Sequence, residues 1–287
     1  LAVSETAANY QLIANLRFCP MKKSLLLTPL ACVFFTVSAQ LNNSVFYDAV
    51  KVVPEDSGRL ALDIRTMGFS KDNEYFATIV DGATLYGFQF APTLSYNFAP
   101  HWRLDAGVWA QKDFGNPAFT RVAPLFTVKF QKGHLSTLFG NIEGSLNHRL
   151  IEPLYDFERV LGPERLENGG QVKIDKPGLF LDAWIDWQVM QYLNDTKQEE
   201  MTGGLSINKL LGTASGWEWS LPFQLVVKHR GGQLDVNPAP LVTLINSAAG
   251  FQARRTYEGR IKELRLDPYL LFYRDGSFTK EQVFRDG

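Results

Sequence analysis

Cysteine is almost missing from this chain. Only Cys19 and Cys32 occur in 287 residues, and both precede the export cleavage site argued for below. The mature chain therefore has neither disulfides nor thiolate metal sites to draw on. Long apolar runs are scarce too: the run from Leu25 to Val37 falls short of the ~20 residues that a membrane-spanning helix needs. Nor is there an excess of charge of one sign. The net charge of −1 gives no basis for a nucleic-acid partner. Local catalytic spacing is also absent. His101, His134, His148 and His229 form no HExxH or other close metal pair, and there is no GxSxG or P-loop. On these absences the chain is expected not to be an enzyme and to carry no cofactor or metal.

Aromatic residues, in contrast, are plentiful: 21 Phe, 10 Tyr and 6 Trp, or 13%. The first methionine is Met21, followed by Lys22-Lys23, the apolar run and Ser38-Ala39-Gln40. Val37 and Ala39 occupy the −3 and −1 positions of a secretory signal, so cleavage is expected between Ala39 and Gln40. Residues 1–20 then read as upstream translation, 21–39 as the signal peptide, and 40–287 as the exported domain.

Period-two alternation dominates that domain. Tyr86, Phe88, Phe90, Leu94, Tyr96 and Phe98 fall on one face of a strand, and Gly87, Gln89, Ala91, Thr93, Ser95 and Asn97 on the other. The same pattern recurs near residues 60–65, 102–111, 121–130, 179–189, 217–228 and 263–272. Several of these segments exceed the ~5–6 residues of ordinary strands and reach the ~9–11 of a tilted membrane strand. Short turns at Ala99-Pro100-His101, Gln131-Lys132-Gly133, Lys176-Pro177-Gly178 and Gly212 to Gly216 alternate with long polar stretches near 70–83, 113–119, 144–169, 191–200 and 230–258. That alternation suits periplasmic turns and external loops. The expected fold is all-β, a transmembrane antiparallel up-and-down β-barrel of about 12 or more strands. About eleven segments reach Tyr273, and Asp275-Gly276 signals a hairpin into a further strand near Phe278. The last residues, Arg285-Asp286-Gly287, lack a terminal aromatic, so the sequence reads as C-terminally incomplete; a closed barrel of twelve strands is the alternative.

The loop 144–169 holds the candidate constriction residues His148, Arg149, Glu152, Asp156, Glu158, Arg159 and Arg165. Ile151, Leu154, Tyr155 and Leu161 approximate helical spacing, as in a loop that folds into a barrel and narrows it. Candidate lumen-lining residues are Arg65, Arg103, Asp105, Arg121, Lys129, Asp182, Trp184, Asp186 and Arg265, of mixed sign. Asp182 and Asp186 lie ~13 Å apart along a strand, too far for a glycosidase pair, and are expected to be wet lumen residues.

The signal sequence, the hairpin from Leu94 to Leu104, and the passage from Leu138 to Pro153 with its Leu138-Phe139-Gly140-Asn141 strand end resemble porin-like outer-membrane barrels of Bacteroides-type bacteria. The resemblance covers most of residues 40–287. It implies architecture and outer-membrane location, and brings no substrate-specific motif. The expected function is passive passage of small hydrophilic solutes. A structural or adhesive barrel with a blocked lumen and an exported soluble β-sandwich that binds glycans are the alternatives. The expected partners are outer-membrane lipid, the solutes and possible copies of the same chain.

Overall fold

A computed structural model of the chain describes residues 46–47, 49–73, 82–232 and 239–277. The signal segment, the proposed start at Gln40 and the strand expected from Phe278 lie outside the described residues.

Thirteen strands form one antiparallel sheet among the described residues. They are β1 (Leu60–Asn73), β2 (Ala83–Ala99), β3 (Trp102–Asp113), β4 (Arg121–Lys132), β5 (Leu135–Asn141), β6 (Asn168–Lys176), β7 (Leu179–Val189), β8 (Glu200–Ala214), β9 (Trp217–Arg230), β10 (Val242–Gly250), β11 (Gln252–Thr256), β12 (Glu263–Leu266) and β13 (Tyr269–Asp275). Each strand from β1 to β10 pairs with the next in sequence, and β10 then pairs with β13. The order is that of an up-and-down barrel wall.

β10 and β11 are separated by Phe251 alone; β11 continues the ladder on β9, Gln252 opposite Ser220. β12 and β13 are likewise one pass, interrupted at Asp267-Pro268, where a residue without an N–H cannot donate to a ladder. This makes eleven passes. β1 and β13 run in the same direction, and the sheet remains open between them among the described residues. A wholly antiparallel closure takes one further pass.

The faces are inverted relative to a soluble protein. Leu60, Leu62, Phe126, Phe139 and Phe272 are exposed, whereas Gln89, Ser95, Gln111, Asp182, Ser206 and Gln224 are buried. In β2 the exposed members Tyr86, Phe88, Phe90, Leu94, Tyr96 and Phe98 alternate strictly with covered polar or small ones. A sandwich hides its oily face; this sheet presents it outward, as a wall surrounded by hydrocarbon does. With strands of up to 17 residues, the architecture is that of an outer-membrane β-barrel.

At the short-turn end, Phe98 stacks on Trp102 and Trp217 on Trp219, with centroids 6.0 Å apart, and Phe130 meets Trp102 at a tilt, 5.0 Å away. Rings there suit the headgroup level of the bilayer.

Three expectations change. The stretch 230–258 contains β10 and β11; Ser247, Ala248, Ala249 and Gly250 give no aromatic alternation to read. The connection 142–167 contains 3-10 turns at Ser145–His148, Phe157–Leu161 and Pro163–Arg165, and no α-helix. Asp182 and Asp186 face inward but are buried, because this connection lies on top of them.

Candidate functional site

The connection from β5 to β6 leaves the sheet through Gly140, whose φ is +102°. A Cβ there would stand 2.1 Å from the Phe126 carbonyl oxygen, so only glycine allows the chain to turn this close to β4. The segment then lies across the inward face. Leu150, Leu154 and Tyr155 pack with Trp184, Val226 and Ala248 into a small apolar core. Gln224 accepts from the Ile151 N–H at 2.8 Å and donates to the Arg149 carbonyl at 3.0 Å. On the opposite wall, Gln89 donates to the Val160 carbonyl at 2.9 Å and Gln111 to that of Leu161 at 3.1 Å. Glu158 pairs with Lys71 and accepts from Asn73. The loop is a crossbar fastened to both walls.

At its centre His148 is fully buried. Its Nδ1 lies 2.8 Å from Asp182 Oδ2 and its Nε2 2.9 Å from Glu167 Oε2. The ring stacks on Trp184 at 4.1 Å and 16°, and Tyr155 meets it edge-on at 5.9 Å. Gly204 makes room for Trp184, since a Cβ there would stand 2.7 Å from the indole. Gln171 donates to Asp182 at 2.9 Å, and the other oxygen of Glu167 accepts from the Ser145 N–H at 2.6 Å.

Burial works against charge on His148, but the Glu167 and Asp182 carboxylates outweigh it and push its pKa up to about 9. Burial likewise opposes charge on Glu167, yet His148 and the Ser145 N–H hold its carboxyl below the usual range. At rest the site is an imidazolium donating both N–H groups to carboxylates.

Ser145 stands in the left-handed region at φ 52°. Its hydroxyl is buried and has no hydrogen-bond partner among the described residues. It lines a cavity of about 150 Å³ shared with Arg65, Lys129, Asn141, Glu143 and Arg165. Glu143 bridges Lys129 at 2.5 Å and Lys173 at 2.7 Å. Burial pushes its pKa up, but the two ammonium groups prevail and hold it low.

The remaining candidates are distributed around this centre. Arg149 pairs with Asp175 at 2.7 Å and covers Phe180. Glu152 and Arg265 line a second, larger cavity. Asp156 caps the turn at Phe157–Leu161, Arg159 lies over Tyr155, and Arg165 donates to Gln89 at 2.8 Å. Arg103 reaches Ser95 and Asp105, and Arg121 the Pro163 carbonyl. Asp186 accepts from the Asn168 N–H at 2.7 Å. Asp182 and Trp184 meet His148 directly; the others do not. Sequence reasoning missed Ser145, Glu143, Glu167 and Gln171. The available signal was a serine three residues before His148 and the alternating polar positions Gln171 and Lys173 on β6.

Among solved structures, a doubly substituted OccD1 (OprD) is similar to this chain at 13% identity and a TM-score of 0.37, covering 84% of this chain and 65% of that one. The outer-membrane protein OprD from Pseudomonas aeruginosa gives 13% and 0.34, with 80% and 60% covered. The chain thus spans less than two thirds of either. Comparison with curated proteins gives no match. One family model, described as lipid A 3'-O-deacylase-type, matches residues 52–287. That description is of an enzyme and overturns the expectation of a non-enzymatic chain. The absence of a local motif misled because the carboxylates that meet His148, Glu167 and Asp182, lie 19 and 34 residues away along the chain and need no fixed spacing. By this match over most of its length, the chain belongs to the lipid A 3'-O-deacylase-type family.

Proposed function

We propose that the chain is an outer-membrane ester hydrolase that removes an O-linked acyl chain from a lipid of the lipid A type, with Ser145 as nucleophile and His148 as base. Family membership points to the reaction. The structural observation that carries the assignment is the single carboxylate of Glu167, which holds the Ser145 N–H with one oxygen and His148 Nε2 with the other.

In the reaction, Ser145 Oγ attacks the ester carbonyl carbon and its proton passes to His148. The tetrahedral intermediate then expels the sugar oxygen, which takes that proton. Water cleaves the acyl-serine by the same route in reverse. A charged imidazole accepts no proton, so the resting clamp has to open. Substrate that parts Glu167 from His148 removes the main support of the raised pKa, and burial then favours the neutral base. Asp182 keeps its hold on Nδ1 and fixes the ring.

A fluorophosphonate probe tests the nucleophile, because it bonds to an activated serine with loss of fluoride. The expected adduct maps to Ser145 and disappears in Ser145→Ala and His148→Gln. Labelling at another serine, or none in the folded protein, would remove Ser145 from the mechanism.

A second reading, passive passage of small hydrophilic solutes, is favoured by the cavities left beside the crossbar, about 150 and 680 Å³, the larger of them mainly polar. Planar-bilayer recording tests it: discrete conductance steps are expected, and a silent folded protein would rule it out.

A further inference from the structure

We infer that the larger cavity, between the crossbar and the wall from β7 to the start of β13, is a binding chamber for a small neutral saccharide or a similar polyol. The chamber is separate from Ser145, which does not line it, and the inference stands apart from the hydrolase reading.

Its volume of about 680 Å³ lies within the ~300–1,000 Å³ of small-molecule sites. Its charged groups are largely matched. Arg149 is paired with Asp175 at 2.7 Å, Arg254 with Glu263 at 2.9 Å, and Arg265 with Asp267. An anion entering would compete with carboxylates already in place, so charge does not select for one.

The uncharged groups select more sharply. Asn208 and Gln252 both line the chamber and bond to each other at 3.2 Å. Asn208 Oδ1 is shielded from solvent and accepts from nothing among the described residues. A small shift of this side chain that opens Oδ1 to the chamber lets a ligand that donates satisfy it. A carboxylate or a fully ionised phosphate monoester has no proton on its charged group to give it; a hydroxyl does. The same hydroxyl can accept from the guanidinium N–H groups nearby. Tyr269, half-buried on the same wall, supplies a flat ring against which the C–H face of a sugar packs. Matched charges, an orphaned acceptor, paired amides and a ring together describe a polyol site.

Calorimetric titration of the folded full chain in detergent with maltose, sucrose and glucose 6-phosphate tests this. Saturable binding of at least one neutral sugar is expected, unchanged in Ser145→Ala. Asn208→Leu is expected to weaken it roughly three- to tenfold, one hydrogen bond's worth. Gln252→Ala, at the rim of the same amide pair, is a second variant should Asn208→Leu fail to fold. Absence of saturable binding by the wild type, preference for glucose 6-phosphate, or unchanged affinity in both variants that fold would overturn the assignment. Loss of hydrolysis or of probe labelling in Ser145→Ala leaves it untouched.

Discussion

His148 is a buried charge held by two others, and its removal leaves Glu167 and Asp182 facing each other out of reach of water. Breaking a buried ionic group by deleting one partner costs about 3–5 kcal/mol. His148→Ala is therefore expected to lower the unfolding free energy obtained from a denaturant titration by that amount, more than any single substitution on the exposed face away from the bilayer centre. The pH dependence has a definite sign. The histidine's pKa is raised from 6.5 to about 9 in the folded protein. Its stabilising contribution is present in full below the unfolded value and is lost as pH rises through about 9. Glu167 is held low, so its contribution is present above 4.5 and lost as pH falls through its folded value. Hydrolysis should follow the opposite trend to His148's stabilisation, rising toward pH 9 as the resting imidazolium gives up its proton. A flat profile between pH 6 and pH 9 would argue against His148 as the base. The ring stacked on Trp184 provides a tryptophan fluorescence signal for the same titration.

The crossbar and the strands beneath it separate two kinds of failure. Phe90 is exposed on the outer face of β2 and Gln89 is buried on the inner. Phe90→Arg places a cation against hydrocarbon at a cost of about 2–4 kcal/mol near the midplane and should reduce the yield folded into lipid vesicles. Gln89→Arg would be harmless on an empty, wet lumen. Here it breaks contacts with Gln111, Arg165 and the Val160 carbonyl. It is expected to leave insertion intact while making residues 157–166 susceptible to protease in the folded barrel. Comparable insertion defects from both would show that the faces are misassigned. Strand faces were legible in the sequence because large apolar and small or polar side chains alternate along β2, with Pro92 as the interruption on its outer face. The crossbar was legible as a long charged loop of a kind that folds into a barrel, but its points of attachment were not. Spacing cannot show that Leu150, Leu154 and Tyr155 find Val226 and Ala248 on strands far along the chain. Such packing turns supposedly wet aspartates into buried ones.

For the whole molecule, outward oil and inward polarity predict heat-modifiable migration: the unboiled protein should run faster in detergent gels than the boiled one. Identical mobility would contradict a stable barrel. Architecture could be read from periodicity and turn length, because both follow directly from a tilted strand crossing a bilayer. Activity could not. Its candidate groups come from a loop turn (Ser145, His148), the residue before β6 (Glu167) and the middle of β7 (Asp182), a constellation that exists only once the loop is folded down. The most direct test of the hydrolase account is mass spectrometry of lipid A incubated with the folded full chain. The account predicts loss of a single acyl chain, with release of the free fatty acid, by the wild type and none by Ser145→Ala. Unchanged lipid A with the folded wild type, or equal deacylation by Ser145→Ala, would contradict it.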